Sequence, residues 1–106
     1  MGAVEKVYYK AYTGTGVSGL ELEFGQEFVC IDIRRTNYKY HAWKYGKNGA
    51  VGYEEFVTGT PNTIEWDAIT PDTSIEIDGT KATINSTHVA LNELDKDYVA
   101  IIVPKN

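Results

Sequence analysis

Thr73–Ile84 reads TSIEIDGTKATI, and its pattern decides the class of fold. Ile75 and Ile77 stand two apart, Asp78-Gly79 is a turn dipeptide, and Ala82 and Ile84 return at the same spacing. Four apolar side chains therefore line one face of a hairpin, and a slip of one residue would turn them all to water.

Outward from this hairpin the same signal recurs: alternating or β-branched and aromatic runs, separated by Gly, Asn, Asp or Pro. EKVYYKAY (5–12), LELEF (20–24), EFVCIDIRR (27–35), NYKYHAWKY (37–45) and AVGYEEFV (50–57) read as strands, with a flexible TGTGVSG loop after the first and KNG as a hairpin turn. At that turn Asn48 and Gly49 are the residue types that accept positive φ. In EFVCIDIRR, Val29, Ile31 and Ile33 share one face while Phe28 and Cys30 lie opposite, so the strand is expected to start buried on both sides. YVAIIVP (98–104) is an almost unbroken apolar run, the pattern of a central strand covered on both faces. TGTPNTIEWDAITP (58–71), with two prolines, reads as a surface connection holding one short strand at Thr63 to Trp66. NSTHVALNELDKD (85–97) fits a turn of helix lined by Ala90, Leu91 and Leu94, while Val89 and Leu91 also suit a strand.

The 106 residues suffice for one domain with its own core, and the expectation is a single all-β domain over 1–106. Its lone cysteine, Cys30, has no disulfide partner in the chain and sits among apolar neighbours, as a small buried hydrophobe would. The opening stretch lacks the pattern of a secretory signal, and no apolar run nears the roughly 18 residues that span a bilayer, so a virion or the cytoplasm is the expected setting, with no membrane partner. Net charge is −5, placed unevenly: residues 1–57 carry seven Lys/Arg against seven Asp/Glu, and residues 58–106 carry three against eight.

Residues 4–57 resemble an SH3 domain in the order of their motifs: VYYKAY, a Gly-rich loop, ELEF, GQEFVCI, a Trp-bearing strand, the Asn-Gly turn and GYEEFV. The resemblance implies a small barrel, here extended by a C-terminal hairpin and a buried strand, with an aromatic groove for proline-rich peptides. Tyr12, Trp43 and Tyr53 match the groove positions. The family's proline and Asn-Tyr after the Gly-Tyr strand are missing, and TGTGVSG replaces its acidic first loop.

No stretch carries a mechanistic motif for catalysis. His41 and His88 lie far apart in the chain with no nucleophile signature near either, and the paired acids suit a solvated sheet face. DKD lacks the further acids and the glycine of a calcium loop, so neither a metal nor a cofactor is expected. Arg34–Gly49, RRTNYKYHAWKYGKNG, holds five Lys/Arg, four Tyr/Trp rings and no carboxylate. Rings interleaved with cations suit single-stranded nucleic acid, which the acidic remainder opposes. Alternation also splits the rings, sending Tyr38, Tyr40, Ala42 and Lys44 to one face and Lys39, His41, Trp43 and Tyr45 to the other. Tyr, Trp and Arg dominate binding energy at protein interfaces. Tyr12, Arg34, Arg35, Tyr38, Lys39, Tyr40, Trp43, Tyr45 and Tyr53 are thus the expected protein-binding residues, and other subunits or copies of the chain the expected partners. A non-catalytic component of a larger assembly, such as a phage capsid decoration or head-to-tail protein, is the reading; a peptide-recognising adaptor is the alternative.

Overall fold

The computed structural model describes residues 5–106; Val4, where the SH3-resembling segment starts, lies outside them. Among the described residues nine strands form: β1 Tyr9–Thr13, β2 Leu20–Glu23, β3 Phe28–Arg35, β4 Tyr40–Tyr45, β5 Val51–Val57, β6 Thr63–Ile69, β7 Ile75–Asp78, β8 Lys81–Ile84 and β9 Asp97–Pro104. They assemble into a six-stranded sheet, β1-β9-β3-β4-β5-β6, and a three-stranded one, β2-β8-β7, with antiparallel pairing throughout. The fold is all-β as expected, but the two sheets do not close into a barrel. Among the described residues no helix is long and apolar enough to cross a membrane.

The Thr73–Ile84 hairpin forms with Ile75 opposite Ile84 and Ile77 opposite Ala82, all four buried. Its loop falls one residue later than expected, on Gly79 and Thr80, because Asp78 pairs with Lys81 and Gly79 takes φ +61. Rather than extending a barrel, the hairpin pairs β8 with β2, placing Leu22 beside Ala82. This small sheet caps Ile31, Ile33, Ala100 and Ile102 of the large sheet, giving one core. Burying a side chain of this size stabilises the fold by about 1.5–3 kcal/mol, so the hairpin's inner row contributes several kcal/mol before entropy is counted.

Four local expectations are corrected. β9 is central, between β1 and β3, yet only Tyr98, Ala100 and Ile102 are buried; Ile101 and Val103 are exposed, so the strand is covered on one face. In β3 the pairing slips between Phe28 and Cys30, and this bulge resets the alternation. Phe28 stays inside together with Ile31 and Ile33, Val29 turns out to solvent, and Cys30 is only partly buried. The β4–β5 turn runs from Gly46 to Gly49, closed by the Gly49 N–H to the Gly46 carbonyl, and the positive φ belongs to Gly46 rather than to Asn48 or Gly49. Residues 85–96 form no helix: Asn92 N–H reaches the His88 carbonyl in one isolated turn, with Ala90 and Leu91 buried and Leu94 exposed.

The proline-flanked connection is corrected too. It holds a full strand, β6, which pairs along the whole length of β5 from Val51–Ile69 to Val57–Thr63.

Candidate protein interface

Strand alternation in the large sheet sorts the expected site residues into two groups. Tyr12, Arg35, Tyr40 and Tyr53 share the inner face, and Arg34, Trp43 and Tyr45 the outer, as the register across β1, β9, β3, β4 and β5 requires. Tyr38 and Lys39 lie in the loop before β4.

On the inner face most of these side chains hold the fold. The Tyr12 hydroxyl donates to the Leu91 carbonyl at 2.6 Å, and its ring stacks on Tyr98 with centroids 5.1 Å apart. Burial, with Tyr98 beside it, pushes the Tyr12 hydroxyl pKa far above the usual phenol range. Arg35 is nearly buried, pairs with Glu93 at 2.9 Å, donates to the Val89 carbonyl and lies over the Tyr38 ring at 4.5 Å. Lys39 pairs with Glu55 at 2.8 Å, and that hydrogen bond lowers the Glu55 pKa and raises that of Lys39. Tyr38, Tyr40, Tyr53 and His88 follow one another ring against ring at 5.3, 6.0 and 4.5 Å. Burial holds the His88 imidazole pKa below its ordinary value, and its Nδ1 accepts the Ala90 N–H. Lys44 is buried with its ammonium on the Asp72 carbonyl at 2.7 Å, and desolvation lowers its pKa.

The outer face carries an arrangement that sequence reasoning missed. His41 lies between two carboxylates, Nε2 at 3.0 Å from Asp32 and Nδ1 at 3.0 Å from Glu54, while the Tyr45 hydroxyl donates to the same Asp32 oxygen at 3.2 Å. The two acids occupy opposite sides of the ring, and among the described residues no three His, Cys, Asp or Glu converge as ion ligands. What the group does is tie β3, β4 and β5 together. The register places His41 directly opposite Glu54, with Asp32 one row along on β3; that register was the signal, and it needs the strand pairing to be known.

Beside His41, Trp43 covers Gly52: a Cβ there would lie 2.8 Å from the indole. Gly52→Ala is therefore expected to displace Trp43 and lower the melting temperature by several degrees, roughly a 1 kcal/mol loss. Near-UV circular dichroism, which reads the Trp43–Tyr45 stack, checks it.

Tyr12 and Tyr53 thus face inward and Trp43 outward, so the three rings do not form one platform. Of the five cations between Arg34 and Gly49, Arg35, Lys39 and Lys44 are committed, which leaves Arg34 and Lys47 without a partner among the described residues.

The surface that does stand open is the far end of the large sheet. Phe56 on β5 and Ile64 and Trp66 on β6 present one apolar row on the outer face, 46%, 63% and 75% exposed. A recess of about 330 Å³ adjoins it, lined by Arg34, Tyr38, His41, Glu54, Phe56 and Ile64 among others. Ile64 and Trp66 fall within the short strand expected at Thr63 to Trp66, but nothing local in the sequence marks that strand as an open sheet edge.

Comparison with known proteins finds no matching family model, no matching curated protein and no matching solved structure. Function must be read from the geometry.

Proposed function

We propose that this protein is a non-catalytic module that works by contact with other proteins, as a small component of a larger assembly such as a phage virion, in a capsid-decorating or head-to-tail position. The observation that carries the reading is β6, an edge strand with residues 63–68 exposed and Ile64 and Trp66 on one face. Free edges invite pairing, and soluble proteins blunt them with bulges, prolines, lysines or inward-pointing charges. β6 has no bulge, proline or lysine between Thr63 and Ile69; two inward acids, Glu65 and Asp67, are all that guards it, and they repel only a partner of like charge. An exposed Trp, Ile and Phe in one row is also the composition of an interface centre rather than of idle surface.

The double variant Ile64→Ser/Trp66→Ser tests this reading. Both side chains are exposed, so the melting temperature is expected to stay within the shift of a roughly 0.5 kcal/mol surface change. Wild-type protein is expected to gain mass in light scattering, alone at rising concentration or with partners from its source extract, and the variant to stay monomeric in both. Identical behaviour of the two proteins sinks the reading.

A further inference from the structure

We infer that β6 takes up an extended protein segment in which apolar residues alternate with Lys or Arg, adding it as a seventh strand to the large sheet. The inference rests on the proposed protein-binding role and names the chemistry of the partner. Its first ground is the backbone. Phe56 N–H bonds to the Lys39 carbonyl just before β4, so along β5 the even residues face β4 and Val51, Tyr53, Glu55 and Val57 face β6. Their partners Ile69, Asp67, Glu65 and Thr63 turn their amides inward, and the N–H and C=O groups of Ile64 and Trp66 point away from the sheet. The Ala68 N–H is capped by the Asp67 carboxylate at 2.8 Å. What remains is a short ladder centred on Trp66.

Side chains then select the occupant. A strand added antiparallel to β6 sets its own residues directly opposite Ile64, Trp66 and Ala68 on the outer face, and the residues between them opposite Glu65 and Asp67 on the inner face. The outer row asks for apolar residues. The inner row asks for cations, because neither Glu65 nor Asp67 has an ion-pair partner among the described residues, whereas Glu55, one strand in, is already taken by Lys39. Copies of the chain meet this demand poorly. Two β6 strands paired about Trp66 would set Glu65 against Asp67 of the second copy, a like-charge pair in each half. The opposite edge, β1, offers one cation on that face, Lys10, whose ammonium is spent on the Glu23 carbonyl at 2.9 Å.

The test uses the full chain and two synthetic nine-residue peptides, one alternating Val with Lys and one alternating Val with Glu, with amide hydrogen exchange followed by NMR. The Val/Lys peptide is expected to slow exchange at Ile64 and Trp66 at least tenfold at saturation, and the Val/Glu peptide to leave both unchanged. Glu65→Lys/Asp67→Lys, two exposed positions, is expected to reverse that preference. Equal protection by both peptides, or no reversal in the variant, overturns the inference. Protection that appears only as the protein itself is concentrated overturns it as well while leaving the contact role of β6 standing. No protection under any of these conditions removes both.

Discussion

Asn92→Ala is expected to lower stability by about 3 kcal/mol, enough to drop the melting temperature by on the order of 15 °C. Asn92 is wholly buried, one of three polar residues in the interior. Its Oδ1 accepts the Thr15 N–H at 2.7 Å, and its Nδ2 donates to Thr15 Oγ1 at 3.0 Å and to the Val17 carbonyl at 2.9 Å. Through these three bonds residues 85–96 hold the 14–19 loop, and the Gly16 N–H on the Asn92 carbonyl adds a fourth. Trimming the side chain removes all three, leaves a cavity, and obliges the loop's polar groups to find water. Thr15→Ala, which removes one of the bonds at an exposed residue, is expected to cost less than about 1 kcal/mol. Urea unfolding of both variants, with hydrogen exchange over residues 14–19, checks the pair. Equal and small losses would mean that the loop is held by something else.

The same residue shows where the sequence stops being legible. NSTHVALNELDKD offered a helical spacing in Ala90, Leu91 and Leu94, and the spacing misled because the segment is fastened by polar bonds to distant partners: Asn92 to Thr15 and Val17, Tyr12 and Tyr98 to the Leu91 and Val89 carbonyls, Arg35 to Glu93. Such contacts span from nine to nearly eighty positions and leave no period. Local alternation did better. It placed the Thr73–Ile84 hairpin's four apolar residues on one face and divided Tyr40, Ala42 and Lys44 from His41, Trp43 and Tyr45. It failed where a bulge reset the phase at Val29, and next to the second proline it stopped at Trp66 a strand that runs on to Ile69. For the candidate interface the residue types were readable and the partners were not. Arg35 and Tyr12 have the composition of a binding surface, but the fold uses them, and the open row joins Phe56 of β5 to Ile64 and Trp66 of the proline-flanked stretch only once β5 and β6 pair.

Above pH 10 the protein is expected to lose stability steeply, at about 1.4 kcal/mol per pH unit from Tyr12, with Tyr98 adding a smaller decline of the same sign. Burial raises both hydroxyl pKa values above the ordinary phenol value of 10.0. A group whose folded pKa lies above its unfolded one contributes stability that is complete below the unfolded pKa. As pH rises past that point the unfolded chain sheds protons that the native state retains, and the contribution drains away. By pH 12 the loss from Tyr12 is on the order of 2.5 kcal/mol, a large share of the stability of a small domain. Tyr40 and Tyr45, raised mainly by burial but nearer solvent, add a shallower decline of the same sign. Lys44 works the other way: burial lowers its pKa, so between the folded value and 10.5 the unfolded state binds the extra proton and stability rises with pH. That rise ends only near 10.5 and so overlaps the first part of the tyrosine decline; the profile should climb gently below pH 10 and then fall. Urea titrations at pH 8 to 12, with tyrosinate absorbance followed in parallel, test the shape. Tyr12→Phe, which keeps the stack on Tyr98 but has no proton to lose, is expected to remove the larger part of the alkaline slope. A slope untouched by that substitution would mean that the Tyr12 hydroxyl ionises as freely in the folded chain as in the unfolded one, contrary to its burial against Leu91 and Tyr98.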